Sequence, residues 1–372
     1  MSELQLQGKE FSVTLGGQSY AVVIGLNPEV SLVSLIKNAT RVAVISDNSV
    51  ANTWGRELTR TLEDKYKFKV GLFSFPAGEK SKTQKTVTEI QNQLLEKKYG
   101  RDTLVIALGG GVVGDVAGYV AATFMRGVPY IQIPTTILAM VDSSIGGKVG
   151  VDTEYGKNTI GAFWHPRGVI DDLRYIESLP KTEIVSGILE AVKMFLTSDK
   201  ETLKYVDALD LENPLRTQDE LLEVVYRAAS LKAEVVQRDE REENERRILN
   251  FGHTIGHAIE LLSNYAMPHG FAVGHGILVE TRISELLGIL AKDECSKVHA
   301  YLERFGITAK GLKEFDVAAV IEATKGDKKV RGGSVYYVLL ESIGSVYKKD
   351  GQYAHPVEDA VVQKAYESLI RP

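Results

Sequence analysis

Cysteine is all but missing from the chain of 372 residues, with Cys295 the only one. An intramolecular disulfide framework is therefore excluded, and so is a CxxC metal site. Long apolar runs are also absent: no uninterrupted stretch approaches the roughly 20 residues of a membrane span. Residues Met1 to Glu10 are polar and lack the charged start and apolar core of a secretory signal, so a cytoplasmic protein with no membrane partner is expected. Neither sign of charge dominates. With 44 Lys and Arg against 49 Asp and Glu, the formal net charge of −5 gives no general hold on a polyanion, so no nucleic-acid partner is expected. A local basic pocket for a small anion is still allowed, built from specific lysines and arginines.

What is present is an ordinary globular composition, 44% hydrophobic and 25% charged, in a chain too long for one typical core. The first half alternates strand and helix signals. Phe11–Leu15 and Tyr20–Ile24 flank Gly16-Gly17 and read as a hairpin. Strands at 41–46, 69–75 and 103–108 then alternate with helices at about 50–64 and 83–98, a rhythm that predicts a parallel sheet with helical crossovers. After Leu179-Pro180 helical periodicity takes over, at 182–197, 218–238, 250–263, 272–291 and 357–370, with a short β-like stretch from Ser334 to Leu340. Two domains are expected, 1–179 and 180–372.

Chemistry concentrates in a few segments. Gly109, Gly111 and Gly114 satisfy GxGxxG between a strand and a helix, as a pyrophosphate cradle requires, but the acidic residue expected about 20 positions later is a threonine, Thr135. Packing of helix against strand explains the glycines equally well. From Pro134 to Asn158, lysines, asparagine and glycines mix without helical or strand period, which suits a loop folded around an anion, phosphate above all. His253 and His257 lie i, i+4, and with His269 they gather three of the seven histidines; spacing alone nominates the first two as a zinc pair, although no glutamate at 254 completes HExxH. Glu190 and Lys193 share a helix face, a spacing that ordinary surface ion pairs also show. A nucleotide and a metal in one chain point to redox chemistry.

Together the segments AMVDSSIGGK (139–148), GKN (156–158), GAFW (161–164), NFGHTIGHAIE (250–260) and His269-Gly270 resemble the 3-dehydroquinate synthase family, in order from about Gly78 to Gly344. The resemblance implies an α/β N-terminal domain with a parallel, Rossmann-like sheet that binds NAD. It also implies a mostly α-helical C-terminal metal-binding domain, an active site in the cleft and a homodimer.

Carried over residue by residue, the resemblance makes Glu190, His253 and His269 the ligands of Zn2+ or Co2+ and moves His257 to the substrate phosphate. Lys193, His257, Glu242 and Asn250 become the catalytic residues. Substrate contacts are expected from Arg126, which reaches the neighbouring subunit's phosphate, and from Asp142, Lys148, Asn158, Lys193, Lys232, Arg246, Asn250, His257 and one of Lys328 and Lys329. Cofactor contacts fall to Asp47, Glu79, Lys82, Gly110, Gly111, Asp115, Thr135, Thr136, Asp142 and Lys157. Two positions depart from the family pattern: Ser49 stands where asparagine is usual, and Leu189 replaces a small residue before the metal-binding glutamate.

The activity so implied is conversion of a phosphorylated sugar acid, 3-deoxy-D-arabino-heptulosonate 7-phosphate, into 3-dehydroquinate and phosphate. Nothing beside the C7–O bond of the substrate stabilises the carbanion needed for elimination. Transient oxidation at C5 by NAD acidifies the C6 hydrogen, so phosphate leaves; reduction, ring opening and intramolecular aldol closure follow, and the cofactor is recycled.

Overall fold

The computed structural model describes residues 8–326, 330–331 and 334–371. The chain forms two compact units. One takes the residues up to Leu179 together with Glu212–Ala233; the other takes Pro180–Leu211 and the residues from Glu234 on. Gln218–Arg238 is the helix its periodicity predicts, yet most of it packs with the first unit, through contacts such as the edge-to-face pair Phe11–Tyr226 at 5.8 Å. Periodicity shows that a helix has an apolar face but not what covers it.

The first unit is built on a seven-stranded sheet. Its strands are β1 (Lys9–Leu15), β2 (Gln18–Gly25), β3 (Arg41–Asp47), β4 (Val70–Phe75), β5 (Thr103–Gly109), β6 (Tyr130–Pro134) and β9 (Gly168–Asp172), in the order β1-β2-β9-β6-β5-β3-β4. Only the β1–β2 hairpin is antiparallel, turning through Gly16 and Gly17 at φ 55° and 81°. Both faces are covered, so β5 is buried along its whole length and reads as an unbroken apolar run. Ala43, Ile45, Val105 and Ala107 point to one face and pack with Val113, Val116 and Ile90. Val42, Val44, Leu104 and Ile106 point to the other and pack with Leu32, Ile36 and Leu62. Each valine, leucine or isoleucine among them contributes roughly 1.5–3 kcal/mol on full burial. A separate antiparallel pair, β7 (Lys148–Thr153) and β8 (Gly156–Phe163), lies outside the sheet.

Two features of this unit differ from the sequence expectation. The helix at 50–64 is interrupted by a π turn at Ala51–Gly55 before Arg56–Asp64 continues. The stretch expected as an irregular loop holds a π turn, Ala139–Ser143, and then β7 and β8. Glycines hide those strands from a pattern search. They are there because the two backbones touch: a Cβ on Gly150 or Gly161 would lie 2.4 or 2.1 Å from a carbonyl oxygen of the opposite strand.

The second unit is mostly helical. Its main helices among the described residues are Lys181–Ser198, His253–Leu262, His269–Leu286, Lys292–Glu303, Val317–Lys325 and Asp359–Ile370. The helix expected from 250 begins only at His253, because Gly252 is left-handed at φ 76°. The helix expected at 272–291 runs earlier, from Pro268 at its N-cap to a break before Gly288 at φ 71°. Lys292–Glu303 and Val317–Lys325 were absent from the sequence expectation. Ser334–Tyr337 pairs with Val330–Arg331 and His355–Pro356, while the small hairpin across Gly344 joins Leu340–Ser342 to Ser345–Val346. No helix among the described residues is long and apolar enough to cross a membrane.

Candidate active site

In the first unit the sheet itself marks where a ligand belongs. The chain leaves β3 outward to β4 and returns to the other side of β3 as β5, so the strand order reverses between β3 and β5. In open α/β sheets the crevice at the carboxyl ends of such strands binds ligands. Asp47 ends β3 and Gly109 ends β5, and the register Ile45↔Ala107 brings these two ends level. An acidic residue, Asp47, thus stands level with the glycine turn at the end of the neighbouring strand. Its Oδ1 accepts the backbone N–H of Ser49 at 2.8 Å and of Val50 at 3.1 Å, so one carboxylate oxygen is already committed to a cap.

The glycines divide by role. A Cβ on Gly109 would meet the Val113 side chain at 2.5 Å, and one on Gly114 would meet Gln132 at 2.6 Å, so these two serve packing. Gly110 and Gly111 open the helix Gly111–Thr123 at its N-terminal end, where backbone N–H groups lack intrahelical partners. Thr136 and Ser143 stand 3.3 and 3.1 Å from where Cβ atoms on Gly110 and Gly111 would be. Thr135 donates its backbone N–H to the Gly109 carbonyl, 3.0 Å away, and the Thr136 hydroxyl accepts from Ala139 N at 3.1 Å.

Beside this turn lies a charged group. Lys82, 5% exposed, meets Asp115 at 2.5 Å, and Lys157 meets Glu79 at 3.3 Å. Burial works against the Lys82 ammonium, but the Asp115 carboxylate, with Glu79 and Asp152 further off, holds its pKa above the ordinary lysine value. Asp152, which sequence reasoning missed, accepts the backbone N–H of Asn158 at 2.7 Å and donates its own N–H to the Lys82 carbonyl at 2.8 Å. It ties the tip of the β7–β8 hairpin to the lysine. Lys148 opens β7, and Asn158 sits in β8 at φ 53°. Asp142, in the π turn, accepts from Lys232 Nζ through both its carbonyl, at 2.6 Å, and its Oδ1, at 2.7 Å. Arg126 is exposed on a tight turn in which Met125, Arg126 and Gly127 all have positive φ.

The second unit gathers the candidate metal-ligating residues. Glu190 and Lys193, each 1% exposed, are bonded at 2.7 Å through Oε2; the pair is buried rather than solvated. The other oxygen, Oε1, lies 3.3 Å from His269 Nε2 and 3.6 Å from His253 Nε2 and has no hydrogen-bond partner. A buried orphan carboxylate oxygen facing two imidazole nitrogens is what a cation would satisfy. Each histidine is anchored at its far nitrogen: His253 Nδ1 is 3.1 Å from the Phe251 carbonyl, and His269 Nδ1 is 3.1 Å from Glu260 Oε2. Anchoring Nδ1 leaves Nε2 as the atom available to a cation.

His257, Glu260 and His269 form a second cluster of ligand atoms, equally within 4.8 Å of one another. It would require the His269 nitrogen already bonded to Glu260 or the one turned to Glu190. The spacing-based pair His253 and His257 does not by itself form a ligand set. The His257 ring stands edge-on to His253 at 5.3 Å and is 6.1 Å from His269.

Charge balance supports the Glu190, His253 and His269 set. Burial disfavours the Glu190 carboxylate, yet Lys193, His253 and His269 hold its pKa well below the usual range. Burial, reinforced by Lys193, keeps His253 neutral. His269 behaves oppositely: burial notwithstanding, the carboxylates of Glu190 and Glu260 push it up to about 10. A proton on that ring supplies the positive charge that the two carboxylates face.

Close backbone packing sets these positions. A Cβ on Gly270 would lie 2.0 Å from the Ser186 carbonyl oxygen, and one on Gly276 would lie 1.9 Å from that of Gly252. Glycines therefore bring the helix carrying His269 against both the Glu190 helix and the start of the His253 helix. Further along, Asn250 Nδ2 donates to Glu242 Oε1 at 2.7 Å, and Arg246, 4% exposed, donates its backbone N–H to Asp239 at 3.0 Å. Within the charge run at 238–247, Arg246 is thus buried and Asp239 and Glu242 are engaged as hydrogen-bond acceptors. Lys328 and Lys329 lie outside the described residues.

Two family profiles match consecutive stretches of the chain: 3-dehydroquinate synthase N-terminal over residues 72–186 and 3-dehydroquinate synthase C-terminal over 187–330. The chain belongs to the 3-dehydroquinate synthase family. The 3-dehydroquinate synthase of Thermodesulfovibrio yellowstonii is 38% identical over 343 residues, which cover 91% of this chain and 95% of the relative. That of Prochlorococcus marinus is 36% identical over 367 residues, 96% of this chain and 99% of the relative. Among solved structures, a 2-deoxy-scyllo-inosose synthase complexed with carbaglucose-6-phosphate, NAD+ and Co2+ has the same fold, with a TM-score of 0.87 at 24% identity over 97% of this chain and 99% of that one. The parallel-sheet unit and the helical unit are thus a fold shared with that solved structure.

Proposed function

We propose that this protein is a 3-dehydroquinate synthase, a phosphorus–oxygen lyase of the shikimate route to aromatic amino acids that uses NAD and a zinc or cobalt ion. It releases phosphate from 3-deoxy-D-arabino-heptulosonate 7-phosphate and closes the remaining carbon chain to 3-dehydroquinate. The observation that carries the reading is the Glu190, His253 and His269 cluster, with its orphan carboxylate oxygen and anchored imidazoles, in a chain of this family. The sheet unit carries the nucleotide and the helical unit the ion. When bound, NAD takes up and returns a hydride while the ion draws electron density from the hydroxyl being oxidised.

The chain's own residues bind, orient and neutralise. Glu190 Oε1, His253 Nε2 and His269 Nε2 would hold the ion, and Lys193 keeps Glu190 ionised through Oε2. Gly110 and Gly111 receive the pyrophosphate at the helix N-terminus, with Thr135 and Thr136 beside them. Asp47, Glu79, Lys82, Asp115, Asp142 and Lys157 complete the cofactor contacts. Arg126, Lys148, Asn158 and His257 bind the substrate phosphate, together with Lys328 or Lys329, and the departing phosphate's own oxygen takes the C6 proton. Lys232, Arg246 and Asn250 bind the substrate carboxylate, and Glu242 fixes the Asn250 amide. Binding both anionic ends of a reactive substrate supplies most of the rate. The reading includes a cytoplasmic homodimer in which Arg126 serves the partner's site.

The test is phosphate release from the heptulosonate phosphate, followed together with absorbance of reduced nicotinamide. Release is expected only with metal and a catalytic amount of NAD+, to be lost on chelation and restored by Zn2+ or Co2+, with no build-up of NADH. Steady accumulation of NADH would instead make the protein a simple dehydrogenase.

A further inference from the structure

The helix that begins at His253 starts without a cap of its own. Its N-cap residue is Gly252, which has no side chain to offer. Glycine is required there because its backbone is left-handed and because a Cβ would meet Ile277 at 2.6 Å and the Val273 carbonyl at 2.8 Å. The N–H groups of the first turn, which lack intrahelical acceptors, cannot turn to water, since residues 251 to 256 are all buried. One carboxylate from another helix serves them: Glu280, 0% exposed, accepts from Gly252 N at 2.7 Å through Oε2, and from Thr254 N at 3.2 Å and Ile255 N at 3.4 Å through Oε1.

Two of these donors flank His253 in the chain, so the carboxylate grips the backbone on both sides of the imidazole. Glu280 also belongs to the helix whose first residue is His269. A single buried side chain therefore ties the element bearing one imidazole to the residue bearing the other. We infer that Glu280 is a positioning residue of the metal centre, acting through the backbone of His253 to hold its Nε2 toward Glu190 Oε1. The inference rests on the assignment of His253 as a metal ligand.

Co2+ titration with a competing chelator, read by visible absorption, tests it on the wild type, Glu280→Gln, Glu280→Asp and His253→Ala. An amide offers one acceptor where the carboxylate offers two, and its NH2 group would confront backbone donors. Glu280→Gln is therefore expected to weaken Co2+ binding roughly 10–100-fold, the usual effect of losing an outer contact to a ligand, and to alter the ligand-field bands. Glu280→Asp, which keeps the charge at shorter reach, is expected to recover part of both, and it carries the comparison alone if Glu280→Gln does not fold. A lower melting temperature of the metal-free variant with unchanged Co2+ affinity and spectrum would overturn the inference, since a purely structural cap would do that. Wild-type Co2+ affinity in His253→Ala would instead overturn the ligand assignment.

Discussion

Metal binding should be strongly pH-dependent above neutrality, and His269 is the reason. Its ring lies between Glu260 at 3.1 Å and Glu190 at 3.3 Å, which push its pKa from the ordinary 6.5 up to about 10 in the ion-free protein. At pH 8 the ring is then mostly protonated, whereas a ligand must be neutral. His253 is already neutral and Glu190 already ionised, so the net release is about one proton per ion. The apparent affinity should rise about tenfold per pH unit from pH 7 to 9, about 1.4 kcal/mol for each unit. Calorimetric titration with Co2+ in two buffers of different ionisation enthalpy reads the proton count directly. The sign for stability follows from the same shift. A pKa raised on folding stabilises the ion-free protein fully below about pH 6.5, and that contribution fades as pH climbs toward about 10. Ion-free protein should therefore lose melting temperature over that range, and loaded protein should not lose it for this cause. An affinity flat between pH 7 and 9, with no proton released at pH 8, would refute the reasoning.

Glu190→Gln should abolish metal binding and also leave the buried Lys193 ammonium without its counter-charge; urea melts should show a loss of about 3–5 kcal/mol, and less than about 1 kcal/mol would contradict the burial. His257→Ala should retain the ion while losing phosphate release, measured by metal analysis beside the phosphate assay; loss of the ion would move ligation to the His257, Glu260 and His269 set. Gly270→Ala must displace a helix, because its Cβ would lie 2.0 Å from the Ser186 carbonyl; a cost of at least about 1–3 kcal/mol in thermal unfolding and weakened metal binding at the adjacent His269 are expected.

How legible the site was in the sequence varied with how local its parts are. The motif order led directly to Glu190, His253 and His269, and these do converge. Spacing alone favoured His253 with His257, because i, i+4 reports one helix face and cannot report the buried carboxylate arriving from the helix Lys181–Ser198. Asp47 was reached only through the family pattern, whereas the register of β3 on β5 explains its place physically. Glu280 and Asp152 carried no sequence signal: their partners are backbone N–H groups, 25 to 28 positions away for Glu280 and six for Asp152, and such donors leave no trace in side-chain patterns.

The amino-acid order by itself determined the alternation of strands and helices, the parallel character of the sheet, the glycine turn after β5 and the motifs that nominate Glu190, His253 and His269. These follow from periodicities of two and 3.6 residues and from contiguous motifs, which short-range stereochemistry reads directly. Only the tertiary structure decided that Glu212–Ala233 packs with the sheet unit, that Glu190 and Lys193 form a buried pair, which histidine nitrogen is left to bind an ion, and which distant carboxylate caps the His253 helix. Burial and the direction of a lone pair depend on what other segments bring to the same place, and no local pattern encodes that.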